Sequence, residues 1–212
     1  MYRHLDVSAC RIDASASYAI ANLIRNNTGL ESLDLGFNRL RSNGGQVVFS
    51  ALKENSVLKK LDVSGNMLQS IFMGDGISGL TSSLELLNIG QNNIQNKGAI
   101  AVIDSIVNNT SIRALYLNLY NGISDQTALH FAKVILPSTS TALQTIDLSG
   151  NKITDIGAVS LLDALEARSR SGLSNIAINI GGNGIAPALV KKFVAAAKAS
   201  RQLPSDSQRV EL

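Results

Sequence analysis

The segment Leu143 to Ile153, LQTIDLSGNKI, places apolar residues at Leu143, Ile146, Leu148 and Ile153, with Asn151 two positions before the last. The same spacing, L-x-x-L-x-L-x-x-N-x-L, returns in LESLDLGFNRL from Leu30, LKKLDVSGNML from Leu58 and LELLNIGQNNI from Leu84. Looser copies start at Tyr2, Ile112 and Leu173, so successive starts lie 28, 28, 26, 28, 31 and 30 residues apart. A period this regular restricts the fold more than any other property of the chain. Each unit is one supersecondary element that cannot bury its apolar face alone, and only a stack of units makes a continuous core.

Each unit has two halves. The first ends in alternating apolar and polar residues, as in LESLDL, and predicts a short strand. The second has apolar or small residues four apart and predicts a helix. These are Ala16, Ile20 and Ile24 before Asn27 in the first unit, and Gly44, Val48 and Leu52 before Asn55 in the second. They are Gly98, Val102 and Ile106 before Asn109 in the fourth, and Gly157, Leu161 and Leu165 in the sixth. The small residue that opens each helix is expected to let it pack close to the strand layer. Helices are about 10 Å wide and strands about 4.8 Å apart, so the stack must curve with the strands inside.

A helix in every unit and a period near 28 resemble the ribonuclease-inhibitor class of leucine-rich repeats, over residues 2 to about 200. The resemblance implies an α/β solenoid of about seven repeats, a horseshoe with a parallel sheet on the concave face and helices on the convex face. The expected organisation is one repeat domain over residues 1–200, with repeats starting near 2, 30, 58, 84, 112, 143 and 173. A polar tail over 201–212 follows.

Three units depart from the pattern. The third is short, and its helical half, SIFMGDGISGL, carries Gly74, Gly76 and Gly79, which predicts a short or distorted helix. The fifth has an extra residue between Leu117 and Asn121, and Pro137 near its helix end. The seventh is read with two extra residues before Asn183, within GGNG, as a bulge after the strand. At the front, Leu5, Val7, Ile12, Ile20, Leu23 and Ile24 have no earlier unit over them, and the strand from Tyr2 would be an open edge. Coverage of this end by an extension or by self-association through the first repeat is expected.

Composition narrows the function. Residues 1–186 carry 14 Lys/Arg and 14 Asp/Glu, so the net charge of +3 arises in the last 26 residues. A charge set confined to a terminal helix reads as a solvated face, and no groove-length basic stripe points to nucleic acid. Cys10 is the only cysteine, which excludes an internal disulfide and favours a reducing, cytoplasmic compartment. No apolar run reaches membrane-spanning length. HExxH, CxxC, GxSxG and P-loop motifs are all absent, so no enzyme, metal site or cofactor is expected.

Two columns carry the remaining chemistry. Asn38, Asn66, Asn92, Asn121, Asn151 and Asn183, with Cys10 in the first repeat, are expected to bond backbone groups of the turn after each strand. Cys10, a substitute the family accepts, is expected to be buried. The residue between the second and third apolar positions should face the concave side. It reads Asp6, Asp34, Asp62, Asn88, Tyr116, Asp147 and Ala177. Stacked acids repel one another, and they invite either a cationic partner or a structural explanation common to LDLS-type strands. Leu86, Ala114, Tyr116, Leu119 and Tyr120 bring apolar and aromatic groups to the middle of this face or its edge, in the manner of interface anchors.

The candidate partner-binding residues are therefore Asp34, Asp62, Leu86, Asn88, Tyr116, Leu119, Tyr120 and Asp147. The expected role is a protein–protein interaction module that binds a protein partner on the concave face. The alternatives are an enzyme regulator such as a GTPase-activating module, for which Arg39 and Arg41 are the loop arginines to nominate, or a secreted bacterial effector acting by host-protein binding.

Overall fold

A computed structural model describes residues 2–69 and 83–199 of the 212-residue chain. Seven three-residue strands, β1 (His4–Asp6), β2 (Ser32–Asp34), β3 (Lys60–Asp62), β4 (Leu86–Asn88), β5 (Ala114–Tyr116), β6 (Thr145–Asp147) and β7 (Ala177–Asn179), form one parallel sheet in sequence order. Between and after them run α1 (Ser17–Asn26), α2 (Arg41–Leu52), α3 (Gln95–Ile106), α4 (Asp125–Val134), α5 (Asp155–Arg170) and α6 (Pro187–Ala199). The expected helix over Ser70–Leu80 and the polar tail lie outside the described residues. The chain folds as an α/β leucine-rich solenoid, with seven strands and six helices among the described residues.

The core lies between the sheet and the helices. The middle residue of every strand points into it, and Leu33, Leu61, Leu87, Leu115 and Ile146 are buried there. The predicted helix faces largely hold: Gly44, Val48 and Leu52, then Gly98, Val102 and Ile106, then Gly157 and Leu161 are all buried, with Leu165 half-buried. The first helix differs. Ser17, Ala21 and Ile24 are buried there, whereas Ala16 and Ile20, which correspond to Gly44 and Val48, are half-buried. Val48 is covered by the preceding unit, and nothing in the described chain stacks on Ile20. Leu5, Val7, Ile12 and Leu23 are partly buried for the same reason.

The small residues that open the helices serve a different contact from the expected one. A Cβ at Gly44 would stand 3.0 Å from Ser17 Oγ and 3.1 Å from Ala14 Cα. At Gly157 it would stand 2.9 Å from Ala128 Cβ. The close approach is therefore to the preceding unit's helix rather than to the strand layer.

The seventh repeat also departs from expectation. Ala177 pairs with Thr145, and Asn179 pairs with Asp147, so the strand lies two residues later than the apolar pattern suggested. The extra residues sit before β7, where α5 runs 16 residues to Arg170 and Gly172, with φ +71°, follows. The turn after β7 has no bulge, because Asn183 Nδ2 donates to Leu148 O at 3.0 Å and Ile180 O at 2.9 Å, the spacing found in the other repeats. The fifth repeat does carry its extra residue after the strand, with Leu119 and Tyr120 both in left-handed conformations.

The asparagine column ties the stack together. Each Asn Nδ2 donates to a carbonyl three or four residues back in its own turn and to one in the preceding repeat. Asn66 reaches Leu35 O at 2.8 Å, Asn92 reaches Val63 O at 3.0 Å and Asn121 reaches Ile89 O at 3.0 Å. Each Oδ1 accepts an N–H of the preceding repeat, as Asn38 does from Ile12 at 2.9 Å and Asn183 from Ile153 at 2.9 Å. Cys10 is exposed, against expectation, and its Sγ donates only to Ser8 O at 3.1 Å. The described chain has no earlier unit for it to reach or to be covered by.

At the far end of the helices Asn27, Asn55 and Asn109 turn the chain back into the next strand. Their Oδ1 atoms accept from the N–H groups two and three residues on. The sixth unit has no such Asn. There Arg168, buried, donates to Leu136 O at 2.7 Å, Ser138 O at 2.8 Å and Ser174 O at 2.5 Å.

Candidate binding face

Register sets the geometry of the exposed sheet face. Asp6, Asp34, Asp62, Asn88, Tyr116, Asp147 and Asn179 stand side by side along one row, and His4, Ser32, Lys60, Leu86, Ala114, Thr145 and Ala177 along the next. Asn179 replaces Ala177 in the first row because of the shift in β7. Six of the eight candidate residues are thereby brought onto one surface: Asp34, Asp62, Leu86, Asn88, Tyr116 and Asp147.

The acids are not the open charges that alternation alone suggests. Asp34 is 7% and Asp62 6% exposed. Each side chain folds down on its own turn, and Oδ1 accepts the N–H two residues on, from Gly36 and Ser64 at 2.7 Å each. Asp6, Asn88, Asp147 and Asn179 make the same bond. This recurring turn bond explains why short acceptor side chains fill the row. Burial pushes the Asp34 carboxyl above its ordinary value; the Gly36 N–H opposes this, and the neighbouring Asp62 and Asp6 add to it.

Asn side chains relieve part of the repulsion. Asn88 Nδ2 donates to Asp62 Oδ2 at 2.6 Å, and Asn179 Nδ2 to Asp147 Oδ2 at 3.1 Å. Lys60 forms no ion pair with the acids among the described residues. Along the lower edge Glu31 instead takes Arg3 at 2.7 Å and Lys59 at 3.1 Å, and the Lys59 bond holds its carboxyl below the ordinary value, against the pull of burial.

Tyr116 is half-buried between Asn88 and Asp147. Burial and the Asp147 charge both raise its phenol pKa, so it stays a neutral hydrogen-bonding group. With Leu86 and Ala114 it forms an apolar centre flanked by polar and acidic positions. Leu119 and Tyr120 lie apart from it, on the rim formed by the loops that follow the strands. Both point outward, Tyr120 at 77% exposure, and Leu119 packs over Gly150, where a Cβ would come within 2.5 Å of its Cδ2.

The rim also holds residues that the apolar pattern did not mark. The residue before each Asn, or before Cys10, has positive φ in all seven repeats: Ala9, Phe37, Gly65, Gln91, Tyr120, Gly150 and Gly182. Glycine suits that conformation, and three repeats use it. Two repeats place an exposed aromatic there instead, Phe37 in the second and Tyr120 in the fifth. Phe37 is 58% exposed and its ring lies over Gly65, 2.9 Å from where a Cβ would stand. Met67 is exposed on the next loop. No cluster of three or more His, Cys, Asp or Glu suited to a metal ion occurs among the described residues. No described helix is long and apolar enough to cross a membrane.

The family model described as Leucine Rich repeat matches residues 26–49, 82–102 and 139–162. The chain is 31% identical over 120 residues to a Caenorhabditis elegans protein called protein phosphatase 1 regulatory subunit 37 homolog; the match takes in 52% of the chain but 12% of that relative's length. Among solved structures it is similar to the leucine-rich repeat-containing protein LegL7 from Legionella pneumophila, with a TM-score of 0.57 and 19% identity, over 85% of this chain and 57% of that one. It also matches the actin-binding site 2 of leiomodin-1, at a TM-score of 0.44 and 14% identity, over 80% of this chain and 82% of that one.

Proposed function

Since this chain is a leucine-rich repeat protein, we propose that it is a protein–protein interaction module, acting by binding rather than by catalysis, with the concave sheet face as its docking surface. The observation that supports this reading is the apolar and aromatic centre, Leu86, Ala114 and Tyr116, held in register on a rigid sheet between Asn88 and Asp147. Aromatic side chains in such settings carry a large share of binding energy. Asp34 and Asp62 shape the local potential from beneath the surface, and Leu119 and Tyr120 extend the contact over the rim. The binding unit is the repeat domain, residues 1–200, and the lone cysteine suits a reducing, cytoplasmic setting.

Tyr116→Ala is expected to abolish capture of a protein partner from lysate, with a thermal melt close to wild type. Asp147→Asn is expected to alter chiefly the salt dependence of capture, because exposed charges steer association more than they hold a complex. Undiminished capture by Tyr116→Ala defeats the concave reading.

A second reading is favoured by one finding. The Caenorhabditis elegans relative is called a regulatory subunit of an enzyme, a protein phosphatase, which makes an enzyme subunit a candidate partner here. The GTPase-activating variant of this reading assigns a role to Arg39 and Arg41, which are exposed on the loop before α2 and at its first residue. Phosphatase and GTPase assays with saturating chain decide it: rates unchanged in both leave simple binding.

We also propose self-association through the first repeat, since β1 has an unpaired edge and Leu5, Val7, Ile12, Ile20 and Leu23 are only partly covered. Analytical ultracentrifugation across concentrations should show a reversible dimer that Tyr18→Glu, at an exposed position, shifts to monomer. A wild type that stays monomeric at the highest concentration, with β1 well protected in hydrogen exchange, refutes it.

A further inference from the structure

The loops after the first three strands carry an apolar and cationic cluster that lies off the concave face. Phe37 and Met67 are exposed there, and so are Arg11, Arg39 and Arg41. Backbone bonds hold these loops together: Arg39 N donates to Ile12 O at 2.7 Å, Phe37 N to Ser64 O at 2.7 Å and Arg41 N to Asn66 O at 2.9 Å. Arg39 therefore sits beside Arg11, and Arg41 beside Met67. None of the three arginines forms an ion pair among the described residues. The one acid on these loops among the described residues, Asp13, already accepts from Ser15 N and Oγ.

Four of the five residues, Arg11, Phe37, Arg41 and Met67, have positive φ. That region disfavours side chains with a Cβ, and bulky ones most. The same turn position is glycine in the third, sixth and seventh repeats and Ala9, Gln91 and Tyr120 in the first, fourth and fifth, so the fold itself does not call for a phenylalanine. Phe37 also contributes little to the core at 58% exposure. A strained, exposed, apolar side chain beside unpaired cations is better explained by a ligand than by folding.

We propose that this rim is a docking site for an acidic linear peptide that carries one large apolar side chain. The apolar residue packs on Phe37 and Met67, and its flanking carboxylates pair with Arg11, Arg39 and Arg41. Charge complementarity selects this occupant. On the concave side of the same repeats exposed Asp6 and the acids Asp34 and Asp62 just beneath the surface outnumber Lys60, so an acidic segment is directed to the rim. Nucleic acid fits less well, because three strands span only about 10 Å, too short to follow a phosphate backbone. This second surface goes beyond the concave reading and stands without it.

The test selects a phage-displayed random dodecapeptide library on the full chain and measures an enriched peptide by fluorescence polarisation. The expected sequences hold at least two acids around one aromatic or large aliphatic residue. Affinity should fall at least tenfold with the Arg39→Ser/Arg41→Ser double variant, and again at high salt. Phe37→Asn is the decisive variant: Asn tolerates positive φ, so its melting temperature should equal or exceed wild type while affinity falls at least tenfold. Tyr116→Ala should bind as wild type, which separates failure here from failure of the concave reading. No enrichment over blank beads, a basic or uncharged consensus, or affinity unchanged in the arginine or Phe37 variants overturns the proposal. A 20-nucleotide single strand that displaces the peptide at lower concentration than unlabelled peptide does overturns it in favour of nucleic acid.

Discussion

Asn92→Ala is expected to lower the unfolding free energy by about 3 kcal/mol, because it strips several buried backbone groups of their partners at once. Asn92 Nδ2 donates to the carbonyls of Val63, Ile89 and Gly90, each at 3.0 Å. Its Oδ1 accepts from Asn66 N at 2.9 Å and Leu68 N at 3.2 Å. The side chain is 1% exposed, so water does not replace these bonds. Asn92→Asp should be no milder despite equal size, since it turns a donor toward three carbonyls into an acceptor. Asn27→Ala should cost about 1 kcal/mol, because that half-buried side chain accepts only from Gly29 and Leu30. Urea unfolding of the three variants measures the order. Equal midpoints for Asn92→Ala and Asn27→Ala would show that the column does not couple the repeats.

Arg168→Ala should cost a similar amount, about 3 kcal/mol, and its effect should concentrate at the C-terminal end of the stack. The guanidinium joins the segment that follows α4, at Leu136 and Ser138, to the segment that leads into β7, at Ser174. No acid pairs with it; carbonyl oxygens satisfy it instead, and burial lowers its pKa without discharging it. Arg168→Lys should not rescue, because one ammonium cannot match a planar fork spread over three carbonyls. Hydrogen exchange is the measurement. Faster exchange in β6, β7 and α5, with β2 and β3 unchanged, is the expected pattern, and uniform loss across all strands would refute a local clamp.

Much of this structure was legible because a repeat prints the same contact several times. The strand middles, the helix faces and the asparagine column recur at fixed offsets, so each could be aligned before any contact was known. The candidate face was legible in part. Alternation placed Asp34, Asp62, Asn88, Tyr116 and Asp147 in one row, yet it could not tell that Asp34 and Asp62 fold down onto Gly36 and Ser64. Burial of a short side chain depends on its rotamer and on the turn beneath it, and periodicity reports neither. Leu119 and Tyr120 went to the rim because an inserted residue after β5 forces two left-handed residues there.

The chain's own periodicity determined the architecture: about 28 residues per unit, one strand and one helix in most units, and an apolar face that only a neighbour can cover. That follows from local patterning, and it would survive any shuffle of surface residues that kept the spacing. The register of β7 was decided by tertiary structure, because two apolar alignments were available and only one let Asn183 reach Leu148. The role of Arg168 was decided there too, since nothing in a lone arginine near a helix end announces three carbonyls converging from two other segments. The exposure of Cys10 and the incomplete burial of Ile20 were decided by the absence, in the described chain, of a unit stacked on theirs. Spacing along a chain specifies which face turns inward; what waits on that face depends on groups far away in sequence, and only folding brings them near.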